Sequence, residues 1–255
     1  MSTIFVTRTI PDEGIQLLKK AGHKVTVPKE DKPISRRDLR AGVKDADALL
    51  SLLTDKIDEE VFAAAPKLKV VANYAVGFDN VDLEAAKEHN VIVTNTPAPE
   101  VGETVAEHTF ALILALAHRI VESDAYARAK KYKGWSPNAL LGTDVRGKTL
   151  GVIGLGRIGQ AVVDRAVNGF KMKCVYTDRK RDREFEGRYG ATFLPQDRLL
   201  QVSDFVSLHV PLLPATRHLL STSEFSLMKK TAFVINTARG PVIDEKALLR
   251  ALKTK

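Results

Sequence analysis

The chain has 255 residues and 44% hydrophobic content, enough for one large or two ordinary cores, and 39 Lys+Arg against 31 Asp+Glu give a formal net charge of +8. The basic excess is scattered among acids along the chain, so it reads as a solvated surface and not as a track for nucleic acid. The lone Cys174 excludes an internal disulfide and sets a reducing, cytoplasmic expectation, and the longest apolar run, Phe110 to Ala117, is too short to cross a membrane.

Short β-branched runs alternate with helical patterns from the start, the sequence form of a parallel sheet covered by helices. Strands are expected at Thr3 to Arg8, Lys24 to Val27, Ala48 to Leu53, Val70 to Ala75 and Val91 to Asn95. Helices are expected at Glu13 to Ala21, Arg37 to Lys44, Glu59 to Ala65 and Leu83 to His89, with Asp58 and Asp82 as N-caps of the last two. Thr96-Pro97-Ala98-Pro99 interrupts the pattern, because proline continues neither a ladder nor a helix interior, and places a domain boundary between residues 98 and 99.

Beyond it, residues of about 101–131 read as one long helix, apolar enough at Val105, Phe110, Leu112, Ile113, Leu114 and Leu116 to be covered on more than one face, between domains or subunits. His108 and His118 on it are expected to pack or to sit in an interface. A second alternation follows, with strands at Thr149 to Ile153, Cys174 to Thr177, Ala191 to Leu194, Phe205 to Val210 and Ala232 to Asn236. A dinucleotide fold of order 3-2-1-4-5-6 has six strands, so this domain is expected to lack its last. The predicted architecture is α/β, with a flavodoxin-like substrate domain over residues 1–98 and an incomplete Rossmann dinucleotide-binding domain over residues 99–255.

Gly154-Leu155-Gly156-Arg157-Ile158-Gly159 leaves the first strand of the second alternation and opens a helix. A lone G-x-G-x-x-G is common by chance, so the surrounding elements carry the inference. Gly154 allows the tight turn, Gly156 lets a pyrophosphate approach the backbone, Gly159 lets helix and strand pack, and the helix N-terminus faces the phosphates. A plain strand-to-helix turn would explain the glycines but not Asp178, which ends the next strand 19 residues after Gly159, near the ~20-residue spacing of an acid on the adenosine ribose. That acid favours NAD. Arg179, Lys180 and Arg181 beside it leave NADP open. No metal site is expected.

In open parallel sheets ligands gather beyond the carboxyl ends of the strands. Three such segments stand out: Asn73-Tyr74-Ala75-Val76-Gly77-Phe78-Asp79, Leu208-His209-Val210-Pro211 and Asn236-Thr237-Ala238-Arg239-Gly240. The first, taken alone, is as readily an ordinary turn as an anion site. In the third, a guanidinium at Arg239 would grip a carboxylate in bidentate fashion and polarise a carbonyl.

Together with Leu52-Leu53-Thr54-Asp55-Lys56-Ile57-Asp58, Asn80-Val81-Asp82, Glu103-Thr104-Val105-Ala106-Glu107 and Thr216-Arg217-His218, these segments resemble the D-2-hydroxyacid dehydrogenase family over the whole chain, particularly its glyoxylate/hydroxypyruvate reductase and phosphoglycerate dehydrogenase members. The resemblance implies hydride transfer between NAD(P)H and a small 2-oxo acid, giving the D-2-hydroxy acid. It implies that Arg239 is catalytic and orients the substrate, that Val76 and Gly77 hold its carboxylate, and that Leu53 lies nearby. Thr104, Val210, Pro211, Thr216, Thr237 and Ala238 would line the nicotinamide end of the cofactor, and the usual assembly would be a homodimer through the long helix. His209 falls in the cofactor loop and is assigned no catalysis. The family's acid/base histidine and its glutamate are expected beyond residue 255, so the polypeptide itself is expected to turn over slowly. Two alternatives stay open at this stage: a non-catalytic NAD-binding sensor or corepressor-like module, and an inert fragment.

Overall fold

A computed structural model describes residues 1–254 and divides the chain into two compact units, Met1–Ala98 and Pro99–Lys255. In the first unit, β1 (Thr3–Val6), α1 (Asp12–Lys20), β2 (Lys24–Thr26), α2 (Arg36–Val43), β3 (Ala48–Leu52), α3 (Glu59–Ala63), β4 (Val70–Tyr74), α4 (Leu83–Glu88) and β5 (Ile92–Thr94) alternate. The strands form one parallel sheet in the order β2-β1-β3-β4-β5. That is the flavodoxin-like order, whose reversal falls between β1 and β3. The helices bury Val43, Val61, Phe62 and Ala86 against Leu49 and Val71 on one face of the sheet, and Ile15 packs on Ile4 and Val6 on the other. The inner strands β1, β3 and β4 thus have apolar cover on both faces, as parallel sheets do, while the edge strands β2 and β5 stay largely exposed.

Asp82 caps α4, accepting from the N–H groups of Glu84 and Ala85 at 3.1 Å each. Asp58 precedes α3 but makes no such bond, contrary to the expectation. Its carboxylate is taken by Arg36 at 2.7 Å and Lys56 at 3.1 Å, and two cations outcompete the helix's own N–H groups.

The second unit opens with α5 (Pro99–Ala117) and α6 (Ile120–Arg128), bent by 61° at Arg119, whose φ is +53°. The single helix expected over about 101–131 is therefore two. The backbone of Gly142 and Thr143 returns to the end of α5, and the Thr143 N–H donates to the Ala117 carbonyl at 2.7 Å, which removes an acceptor the next helical turn would need. Pro99, read as a breaker, occupies the first turn of α5, where its missing N–H costs nothing. Only one stripe of α5 is buried, Ala106, Thr109, Phe110, Ile113 and Ala117, while Leu116 and both His108 and His118 are exposed. Among the described residues no single helix is long and apolar enough to cross a membrane.

Next come β6 (Thr149–Ile153), α7 (Arg157–Asp164, continued by a π-helical turn to Gly169), β7 (Lys173–Thr177), α8 (Arg183–Tyr189), β8 (Thr192–Phe193), α9 (Gln196–Val202), β9 (Phe205–Leu208), α10 (Thr222–Leu227), β10 (Phe233–Asn236) and α11 (Glu245–Thr254). The strands are all parallel in the order β10-β9-β6-β7-β8, the first five positions of a Rossmann sheet. Its core gathers Leu150, Val152, Val162, Val163, Cys174, Tyr176 and Phe205 with the buried stripe of α5. Burial pushes the Cys174 thiol up to about 12, so it acts as a small apolar filler. Phe205 is fully buried in β9 and stacks on Phe233 with ring centroids 5.0 Å apart. Phe205→Ala should therefore lower the unfolding free energy by about 3–5 kcal/mol, read from urea denaturation midpoints.

Candidate active site

The sheet order of the second unit reverses between β6 and β9, and the turn after β6 lies at that crevice. Gly154 has φ +96°, and a Cβ there would stand 2.7 Å from the His209 carbonyl oxygen and 2.9 Å from Val210 Cγ1. A Cβ on Gly159 would stand 2.1 Å from the Gly154 carbonyl oxygen. Any side chain at either position would push helix, turn and β9 loop apart. At Gly156, the N-cap of α7, a Cβ would meet nothing within 4 Å. The backbone there is open on the side of the helix N-terminus, with Arg157 exposed and Ile158 half-buried just beyond, so the turn fits a pyrophosphate approaching the backbone N–H groups.

Asp178 follows β7 and reaches back to this turn. The Leu155 N–H donates to its Oδ2 at 2.6 Å and the Arg179 N–H to its Oδ1 at 2.6 Å. A cavity of about 340 Å³ opens beside it, lined by Leu155, Asp178, Lys180, Arg181, Asp182 and Arg183. Arg179 and Lys180 are exposed at its edge. Two carboxylates, of Asp178 and Asp182, face three cations across the cavity, a lining that suits a ribose diol beside Asp178.

Beyond β9, Thr216 closes the loop on itself: its Oγ1 donates to the Pro211 carbonyl at 2.6 Å and accepts from the Leu213 N–H at 2.8 Å. His209 lies 2.8 Å from Ser207 Oγ, and burial pushes its ring down to about 4, so it stays neutral at physiological pH. A ring held neutral is a poor proton donor.

Beyond β10, Asn236 builds the turn that carries Arg239. Its Oδ1 accepts from the Ala238 N–H at 3.0 Å and its Nδ2 donates to the Arg239 carbonyl at 2.9 Å, while an Arg239 guanidinium nitrogen donates to the Ala238 carbonyl at 3.0 Å. Thr237 Oγ1 lies 3.1 Å from Thr109 Oγ1 of α5. Thr104, earlier on that helix, is exposed and donates to the Glu100 carbonyl at 3.1 Å. The loops after β6, β7, β9 and β10 thus stand at one edge of one sheet, bringing the glycine turn, Asp178, Val210, Pro211, Thr237, Ala238 and Arg239 to the same end.

In the first unit, the loops after β3 and β4 are tied together by side-chain amides. Asn73 and Asn80 pair reciprocally at 3.0 and 3.1 Å, Asn80 donates to the carbonyls of Leu52 and Asp55, and Asn73 donates to the Gly77 carbonyl. Asn95 holds the Val76 carbonyl at 2.7 Å. Buried Asp55 accepts from Thr7 Oγ1 and from the Leu52 N–H, closing the crevice between β1 and β3. With these carbonyls engaged, Leu53 and Val76 are left 49% and 38% exposed on the loops, available to a ligand. The sequence motif pointed to Gly77 and Val76 but not to the amide pair that fixes them, nor to Asn236 beneath Arg239. In both cases an Asn at a strand's carboxyl end was the only signal. Among the described residues no group of three or more His, Cys, Asp or Glu converges to hold a metal ion.

The sheet order, the glycine turn and the acid after β7 define a Rossmann domain of the dinucleotide-dependent oxidoreductases. Residues 110–255 match the family model for the D-isomer specific 2-hydroxyacid dehydrogenase NAD-binding domain. The chain belongs to that family, and its cofactor is NAD(P). A glyoxylate reductase of Korarchaeum cryptofilum is 48% identical over 251 residues, covering 98% of this chain and 75% of that protein. The TT0316 protein of Thermus thermophilus has a TM-score of 0.89 at 42% identity, over 98% of this chain and 78% of that one. A D-lactate dehydrogenase of Aquifex aeolicus, solved with NAD and lactic acid, has a TM-score of 0.84 at 33% identity, over 99% and 73% of the two chains.

His209 makes a pH dependence testable. Its ring titrates near 4 when folded against an ordinary 6.5, so the unfolded chain binds more protons between those values. Its contribution to stability is whole above pH 6.5 and is lost as pH falls toward 4. His209→Gln should remove this part of the acid sensitivity, on the order of 2–3 kcal/mol between pH 7 and pH 4. Urea midpoints of both proteins at the two pH values give the difference, and an identical loss in both would refute the assignment.

Proposed function

We propose that the chain reduces a small 2-oxo acid, glyoxylate or one of similar size, to the corresponding D-2-hydroxy acid. The observation that carries the reading is Arg239, which the Asn236 turn holds at the carboxyl end of β10, on the sheet edge that bears the glycine turn. High identity to a glyoxylate reductase along almost the whole chain supports the choice of substrate size.

In this reading Gly154, Gly156, Arg157, Ile158 and Gly159 hold the cofactor's pyrophosphate, and Asp178, Arg179 and Lys180 hold its adenosine ribose. Thr104, Val210, Pro211, Thr216, Thr237 and Ala238 form the nicotinamide end. The reduced nicotinamide supplies the hydride when bound. Arg239 orients the 2-oxo acid and stabilises the negative charge that develops on its carbonyl oxygen, where a fixed guanidinium acts without reorganising. Leu53 limits the substrate's size, and the N–H groups at Val76 and Gly77 receive its carboxylate. His209, neutral at working pH, contributes position and not a proton. The protein works in the cytoplasm as a homodimer through α5 and α6, whose Val101, Leu116, Ile120 and Val121 are 40%, 43%, 54% and 73% exposed and would gain cover from a second copy.

Arg239→Gln should lower kcat/KM for glyoxylate by about 10²–10³-fold while leaving the NADH dissociation constant within about twofold, since the interaction is made chiefly in the transition state. Steady-state assays with NADH fluorescence titration separate the two effects. A variant that kept its kcat/KM would sink the assignment.

A further inference from the structure

The basic run beside Asp178 is not uniform. Arg181 lines the cavity, yet its guanidinium forks onto Glu186 of α8, with Nε 2.8 Å from Oε1 and Nη2 2.7 Å from Oε2. Glu186 also accepts from the Tyr176 hydroxyl at 2.9 Å, and that hydroxyl accepts from the Asp182 N–H at 2.8 Å. Tyr176 is fully buried in β7, packed by Phe185 and Phe193, so the anchor beneath Glu186 is rigid. The Glu186 carboxylate is held below its ordinary range first by Arg181, and its side chain is only 14% exposed against 53% for the arginine. The pair therefore reads as an arginine captured by a fixed acid, not as two mobile surface charges meeting by chance.

Charge balance gives this capture a consequence. The cavity presents Lys180, Arg181 and Arg183 against Asp178 and Asp182, with Arg179 exposed at its edge, and Glu186 behind Arg181 takes one of these cations out of play. A ribose 2′-hydroxyl needs no cation, whereas a 2′-phosphate dianion gains from each uncommitted cation, and an arginine fork is its best partner. Arg181 is the fork already occupied.

We propose that Glu186, held by Tyr176, is a specificity-determining residue that sequesters Arg181 and thereby makes this cavity select the 2′-hydroxyl of NAD over the 2′-phosphate of NADP. The proposal rests on the reading of the cavity as the adenosine-ribose site. Glu186 touches no cofactor atom in this scheme and acts through Arg181 as a positioning residue.

The test uses two probes that differ only at the 2′ position, ADP and 2′,5′-ADP, titrated calorimetrically into the 255-residue chain at fixed ionic strength. E186Q keeps an acceptor for the tyrosine hydroxyl while removing the charge. It should tighten 2′,5′-ADP by roughly tenfold or more, the scale of one added charge-assisted hydrogen bond, and leave ADP within about twofold. The double variant E186Q/R181Q should lose that gain, which a general loosening of the loop would not reproduce, because loosening weakens both probes alike. Thermal melts of each variant check that the fold is kept. If the wild-type chain binds neither probe, the ribose-site reading falls and the proposal falls with it. If it binds ADP and E186Q leaves the ratio of the two affinities unchanged, the specificity role alone is overturned.

Discussion

The close approach of three backbones at Gly154 and Gly159 is the constraint on which the second unit's site depends. The Gly159 Cα sits against the Gly154 carbonyl, and Gly154 in turn against the His209 carbonyl, so helix α7, the turn after β6 and the loop after β9 meet with no side chain between them. Cores are dense and transmit displacement instead of absorbing it. Moving α7 outward by one methyl group would swing its N-terminal N–H groups away from the crevice and disturb Val210 at the same time. The contact therefore fixes both the N-terminus of α7 and the loop after β9 from one point.

Electrostatics then refine what the backbone frames. Asp178 is bound to the glycine turn through the Leu155 N–H, so the acid and the turn move as one piece. Arg239 has the corresponding support from Asn236, whose side chain bonds both flanks of the loop. In each case the charged group is attached to backbone near its own strand end, and rigid placement of this kind is what makes a charge useful to a transition state.

What the sequence revealed follows from how local each cause is. Parallel strands buried on both faces announce themselves as short β-branched runs, and the bounds of Thr149–Ile153 are those expected from the sequence. The glycine motif and Asp178 were legible because their chemistry depends on spacing along the chain. The break at Arg119 was not, because its cause is the return of Gly142 and Thr143 from more than twenty residues away. Asp58 failed as a cap for the same reason, since Arg36 arrives from another helix. The Asn73–Asn80 pair and the Tyr176–Glu186–Arg181 chain were likewise silent: each is made of ordinary residue types, and only the fold makes partners of them.

The two units apply one topological rule to different ends. Each sheet reverses its strand order at one place, between β1 and β3 in the first and between β6 and β9 in the second. At the second reversal, glycines keep the crevice empty of side chains, which leaves backbone N–H groups for a polyanion. At the first, Thr7 and Asp55 fill the crevice with a buried hydrogen bond, and the amide pair consumes the neighbouring carbonyls. The first unit offers the tips of its loops, where Leu53, Tyr74, Val76 and Phe78 are exposed. The same rule thus yields an open crevice where glycine removes side chains and a closed one where polar side chains fill the gap.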